Sequence, residues 1–156
     1  MNKKIMMYGG DILGSAGMLS EKKYIHHGNI SCYEHSLSVA KKSLAIAELL
    51  PIKTDEKALV RGALLHDYFL YDWHMEGHGL HGFYHAARAL KNAQADFELG
   101  DIERNIIIRH MFPLNIWPPR YTESWIVCAA DKFCAVQEFF SKYYEAAAKF
   151  LEKTRK

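Results

Sequence analysis

The stretch that decides the fold is "GALLHDYFLYDWH", residues 62–74. Ala63, Leu64 and Leu65 read as the buried face of a helix, yet His66 and Asp67 follow at once, and only then do Tyr68, Phe69 and Leu70 resume the apolar run. Removing a lone carboxylate from water costs several kcal/mol, so Asp67 must be paired, protonated or bound to a metal. The segments on either side point to helices and to further groups of the same chemistry.

Upstream, "SCYEHSLSVAKKSLAIAELLP" places Ser31 three residues before Glu34, the arrangement of a capping box. Tyr33, Leu37, Ala40, Leu44 and Ala47 follow at steps of three and four until Pro51 stops the helix. A second helix is expected from near Thr54, with Asp55 and Glu56 at the positive end of its dipole, running to about His66-Asp67. Gly77, Gly79 and Gly82 mark a loop before a third helix at about 83–95. Asp101 is the expected cap of a fourth, "IERNIIIRHM", which ends before "FPLNIWPP". A fifth starts at Thr122 or Ser124 and reaches about Tyr144, then continues or breaks into the alanine-rich tail. No segment alternates as strands do, so the expected fold is a compact all-α helical bundle. It forms one domain over 1–156, with an N-terminal segment 1–30, a motif-bearing core of about 31–140 and a helical tail 141–156. The segment "EFFSKYYEAAAKFLEK" is expected to cover the domain's own core rather than a partner chain.

The 156 residues are 49% apolar and 24% charged, with a net charge of +2. So small a charge speaks against specific nucleic-acid binding and against an acidic membrane surface. No run approaches a membrane span, and Gly9-Gly10-Asp11 interrupts any signal-peptide core. Cys32, Cys128 and Cys134 are odd in number and form no C-x-x-C pair, which suits reduced thiols and a cytoplasmic location. They read as core or wall residues.

Nine histidines occur, at 26, 27, 35, 66, 74, 78, 81, 85 and 110. His35, His66 and His110 fall where helical periodicity wants core, and Asp131 lies in the apolar run "WIVCAADKFCAV". Singly, each has an ordinary reading: a hydrogen-bonded core histidine, a helix-end cap, an ion pair. Together, on separate helices, imidazoles and carboxylates satisfy one another around a divalent transition metal, one or two ions of Fe, Mn, Co, Ni or Zn. The lack of thiolates favours an open site holding water over a closed structural one. His74 and His78, in a glycine-flanked loop, read as solvated surface.

The order His35, His66-Asp67, Asp131, with the wording "ALLHD" and "AADK", resembles the HD superfamily of metal-dependent phosphohydrolases over roughly residues 33–136. That resemblance implies an all-helical fold with His35, His66, Asp67 and Asp131 as ligands of one cation. Two-metal members carry two more histidines in the interval, which implies His85 and His110 here. His81, in "LHG", competes with His85 as a ligand or a group supporting one. It also implies that Asp67 bridges two ions and that metal-activated water attacks a phosphate ester, of a nucleotide or another small metabolite. Many members carry a lysine three residues after the HD aspartate, where this chain has Leu70. Phosphate contact is then expected from Lys132, Arg109, Arg88 or His27. The same ligand set would also serve a di-iron oxygenase of the HD type, or a non-catalytic metal-stabilised ligand-binding module. Oligomeric state is undetermined from the sequence.

Overall fold

A computed structural model describes residues 2–27, 29–72 and 81–154, the side chains of 27, 81 and 141–154 lying outside that description. Helices dominate: α1 (Lys3–Leu13), α2 (Ala16–Ser20), α3 (Cys32–Leu49), α4 (Glu56–Leu65), α5 (His81–Asp96), α6 (Asp101–Arg109) and α7 (Thr122–Thr154). The expected all-α bundle is what forms. A 3-10 turn, Glu21–Lys23, follows α2, and two short antiparallel strands, β1 (Ile25–His27) and β2 (Ile30–Ser31), lead into α3. No described helix is long and apolar enough to cross a membrane.

Helix α4 is the axis of the fold because its sequence is apolar all round. Every residue from Ala58 to Leu65 is buried, and α1, α3, α5, α6 and α7 pack around it. Burial of each large side chain there, Leu59, Leu64 and Leu65 among them, contributes about 1.5–3 kcal/mol. Its single buried charge, Arg61, donates to both carboxylate oxygens of Asp11 on α1 at 2.9 and 2.8 Å and lies 3.6 Å from Glu103 on α6. Gly62 lets α6 approach, since a Cβ there would collide with Ile106. Gly9 does the same for α1 against Leu64.

The helix starts follow the sequence signals closely. Ser31 and Glu34 close the expected capping box on α3, and Asp55 caps α4 by accepting from the Ala58 N–H at 2.9 Å. The start of α6 differs from expectation. Asp101 is its first helical residue, not its cap, because Glu103 reaches back 2.8 Å to the Gly100 N–H and satisfies it. Helix α7 runs unbroken to Thr154. Its face at Phe133, Val136, Phe139 and Phe140 is half exposed, and the side chains of most of "EFFSKYYEAAAKFLEK", expected to cover the core, lie outside the described residues. The N-terminal segment, for which no helix was expected, forms α1 and α2, with Ile5, Ile12, Leu13 and Met18 in the core.

Candidate metal centre

Two helix C-termini converge on the centre. His66 is the C-cap of α4 and His110 the C-cap of α6. Each ring places Nδ1 2.8 Å from the carbonyl three residues back, Ala63 for His66 and Ile107 for His110. A carbonyl only accepts, so Nδ1 of each ring carries a proton and Nε2 is the atom left for the centre; burial favours the neutral ring at His110, whereas Asp67 and Asp131 raise the pKa of His66. The helix ends themselves add partial negative charge at this point.

Asp67 follows the cap and sits between the rings, buried. Its Oδ1 lies 3.2 Å from His85 Nε2 on α5 and 3.3 Å from His110 Nε2. Its Oδ2 lies 3.4 Å from His66 Nε2 and 2.9 Å from His26 Nε2 on β1. Around the second carboxylate, Asp131 on α7, Oδ1 is 3.1 Å from His35 Nε2 and 3.6 Å from His66 Nε2. His85 and His110 bring their Nε2 atoms within 2.9 Å of each other.

The turn that presents Asp67 is held from three sides. The Phe69 N–H donates to Asp67 O, and Asn92 Nδ2 donates to the Tyr68 and Phe69 carbonyls at 3.2 and 2.9 Å. Leu70 takes a left-handed conformation, φ 60°, and its N–H donates to buried Glu21 at 2.9 Å. Phe69 is core, as expected, while Tyr71 is partly exposed against it.

Burial alone would keep both aspartates neutral. The imidazoles outweigh it and hold the Asp67 and Asp131 carboxyls well below the ordinary range, His66 leading for Asp67 and His35 for Asp131. Burial likewise opposes charge on His35, but Asp131 and Glu138 push its ring up to about 9. Burial prevails at His110, whose pKa falls.

A divalent cation fits this donor set. Among the described residues, His66 Nε2 and Asp67 Oδ1 are buried with no hydrogen-bond partner. Ionised oxygens facing imidazole nitrogens need positive charge between them, as protons on the rings or as a cation in their place. His35, His66 and Asp67 form one group whose ligand atoms lie close enough to hold an ion, and Asp67, His85 and His110 form another. The donors are nitrogen and oxygen without thiolate, which suits Fe, Mn, Co, Ni or Zn.

A family model, the HD domain, matches residues 32–136. The chain belongs to the HD domain family. No curated protein and no solved structure matches it. HD domains bind divalent metals, and their superfamily is of the metal-dependent phosphohydrolase type. The order His35, His66-Asp67, Asp131 therefore stands in an HD domain, and the fold brings all four together with His85 and His110.

Of the other residues the sequence singled out, Lys132 is at the rim. Its Nζ donates to the His110 carbonyl at 2.7 Å and lies 3.8 Å from Asp131 Oδ2. Arg109 turns instead to Trp117, its guanidinium 5.8 Å from the ring, and among the described residues makes no ion pair with the centre's carboxylates. Arg88 stands over Tyr71 at 5.9 Å. The side chains of His27 and His81 lie outside the described residues, as do Trp73, His74 and His78.

Sequence reasoning passed over two members of the cluster. His26 was only one of two adjacent histidines, and its ring enters the cluster against Asp67 and His35. Glu138 accepts from His35 Nδ1, at 3.0 Å to either carboxylate oxygen. Its signal was available: Glu138 lies two helical turns after Asp131, on the same face of one helix.

Proposed function

We propose that this HD domain is a phosphohydrolase that cleaves a small phosphate ester, with His35, His66, Asp67 and Asp131 around one cation and Asp67, His85 and His110 around a second. The observation that carries the reading is the division of Asp67. Each of its oxygens faces two imidazoles, which is the disposition of a carboxylate shared between two cations. When bound, the cations would lower the pKa of a water toward neutrality and polarise the phosphoryl oxygens. His66 and His110 keep their Nε2 atoms aimed inward because their own helix carbonyls hold Nδ1–H. Asp67 stays ionised in this setting, ready to bridge.

Lys132 contributes a positive charge at the rim. Its side chain is 43% exposed beside Asp131, close enough for its ammonium to reach a phosphate oxygen at the rim. The substrate expected is a small molecule, a nucleotide or related metabolite, in keeping with a charge of only +2 over the chain.

The test is elemental analysis of protein purified without added metal or chelator, followed by phosphate release from a panel of phosphomonoesters and diesters. Native protein is expected to hold near two equivalents of a transition metal and to release phosphate, and Asp67→Ala to do neither. Metal without phosphate release, but with oxygen uptake, would replace the reading with an oxygenase. No metal even after reconstitution would overturn it.

A further inference from the structure

Four histidines of the proposed centre, His35, His66, His85 and His110, would hold Nε2 toward a cation, and His66 and His110 have a built-in way of doing so. His66 and His110 cap helix C-termini, where unpaired carbonyls are at hand for Nδ1–H. His35 cannot use that device. It sits in the first turn of α3, where the exposed backbone groups are N–H donors and the carbonyls are committed to the helix. Its acceptor has to come from another element.

We infer that Glu138 is a positioning residue: its carboxylate, reaching from α7, locks His35 with the proton on Nδ1 and so keeps Nε2 available to a cation beside Asp131. His35 is fully buried, with Nδ1 3.0 Å from both Glu138 oxygens and Nε2 3.1 Å from Asp131 Oδ1. Glu138 also faces His26, whose Nδ1 is 3.6 Å away and whose ring stacks on His35 at 3.7 Å between centroids. One carboxylate thus bonds one imidazole and faces a second stacked on it, and the second sets its Nε2 2.9 Å from Asp67 Oδ2. Because Glu138 and Asp131 share one helix face, a single rigid element carries both a ligand and the group that orients its neighbour. Ligating histidines are commonly oriented by such a carboxylate.

The inference rests on the metal reading proposed above, and the test separates the two. Metal-stripped full-length protein is titrated with Zn2+ against a competing chelator, as native, Glu138→Ala and Glu138→Gln. In Glu138→Ala, one equivalent is expected to weaken by about 10–100-fold while the equivalent held by His85 and His110 keeps its affinity. Glu138→Gln retains an amide oxygen to accept Nδ1–H and is expected to bind both equivalents nearly as native does. Nitrogen-15 spectra of the imidazoles in the Zn2+-loaded protein are expected to show His35 protonated at Nδ1 in native and Glu138→Gln, and to lose that assignment in Glu138→Ala. Native affinity for both ions in Glu138→Ala would overturn the inference. So would a Glu138→Gln variant as impaired as Glu138→Ala, since charge rather than orientation would then be at stake. Native protein that binds no Zn2+ at all would sink the metal reading itself.

Discussion

The Nε2 atoms of His85 and His110 meet at 2.9 Å, although the residues are 25 positions apart and belong to different helices. The His110 nitrogen is a lone pair, since its Nδ1–H is committed to the Ile107 carbonyl, and both atoms face Asp67 Oδ1. The two rings therefore address one point in space. His85→Ala and His110→Ala are each expected to lose the same metal equivalent, and the double variant to lose nothing further. Metal content after dialysis checks this. Two different equivalents lost, one per variant, would show that the rings serve separate ions.

Metal affinity should rise with pH in a defined window. His35 is pushed up to about 9 when no cation opposes its protonation, so an entering ion must displace a proton below that pH. Apparent affinity of the His35-side ion is expected to gain about tenfold per pH unit from neutral to about 9, then level off. The metal-stripped protein should behave in the opposite sense. With a folded pKa above the unfolded 6.5, protonated His35 stabilises the fold fully below pH 6.5, and that contribution is lost as pH rises through about 9. Chelator competition and thermal melts at matched pH measure both. A flat affinity profile would remove His35 from the ligand set.

Glu21 is a buried carboxyl raised to about 7, with burial as the main cause. Its folded pKa lies above the unfolded value of 4.5, so folding is penalised increasingly as pH climbs from 4.5 to about 7 and the penalty then stays. Glu21→Gln keeps an acceptor for the Leu70 N–H and removes the charge. It is expected to match native stability at pH 4.5 and to exceed it above pH 7 by an amount on the order of 3 kcal/mol. Denaturant melts at the two pH values read this directly. A variant less stable at pH 8 would mean that the ionised form is itself needed in the fold.

Neighbouring positions in the bundle should respond oppositely to the same glycine change. Gly10→Ala on α1 meets only ordinary contact, with Met6 Cε at 3.9 Å, and is expected to stabilise by roughly 0.5–1 kcal/mol. Gly62→Ala gains similar helix propensity but drives a methyl into Ile106, at a cost of about 1–3 kcal/mol, and should be destabilising overall. Because α4 and α6 carry His66 and His110, Gly62→Ala should also weaken metal binding, which Gly10→Ala should leave unchanged. Equal effects at both sites would refute the close approach of α4 to α6.

The five helices from α3 to α7 and most of the residues that cluster at the centre were legible in the sequence. Periodicity and caps such as Ser31-Glu34 and Asp55 act within a few residues, so they were legible, as was the buried pair His66-Asp67 that no apolar helix explains. The alternation that betrays strands was too short to see in Ile25–His27, and the helical spacing of Ile5, Tyr8, Ile12 and Leu13, though present, could not say that α1 packs on α4. Only the tertiary structure decided which of His26 and His27 has a described place in the cluster, that Glu138 serves His35, and that Arg109 turns away to Trp117. The difference is physical. Caps and periods follow from local backbone geometry, whereas the partner of a buried imidazole is whichever group a distant helix brings within about 3 Å.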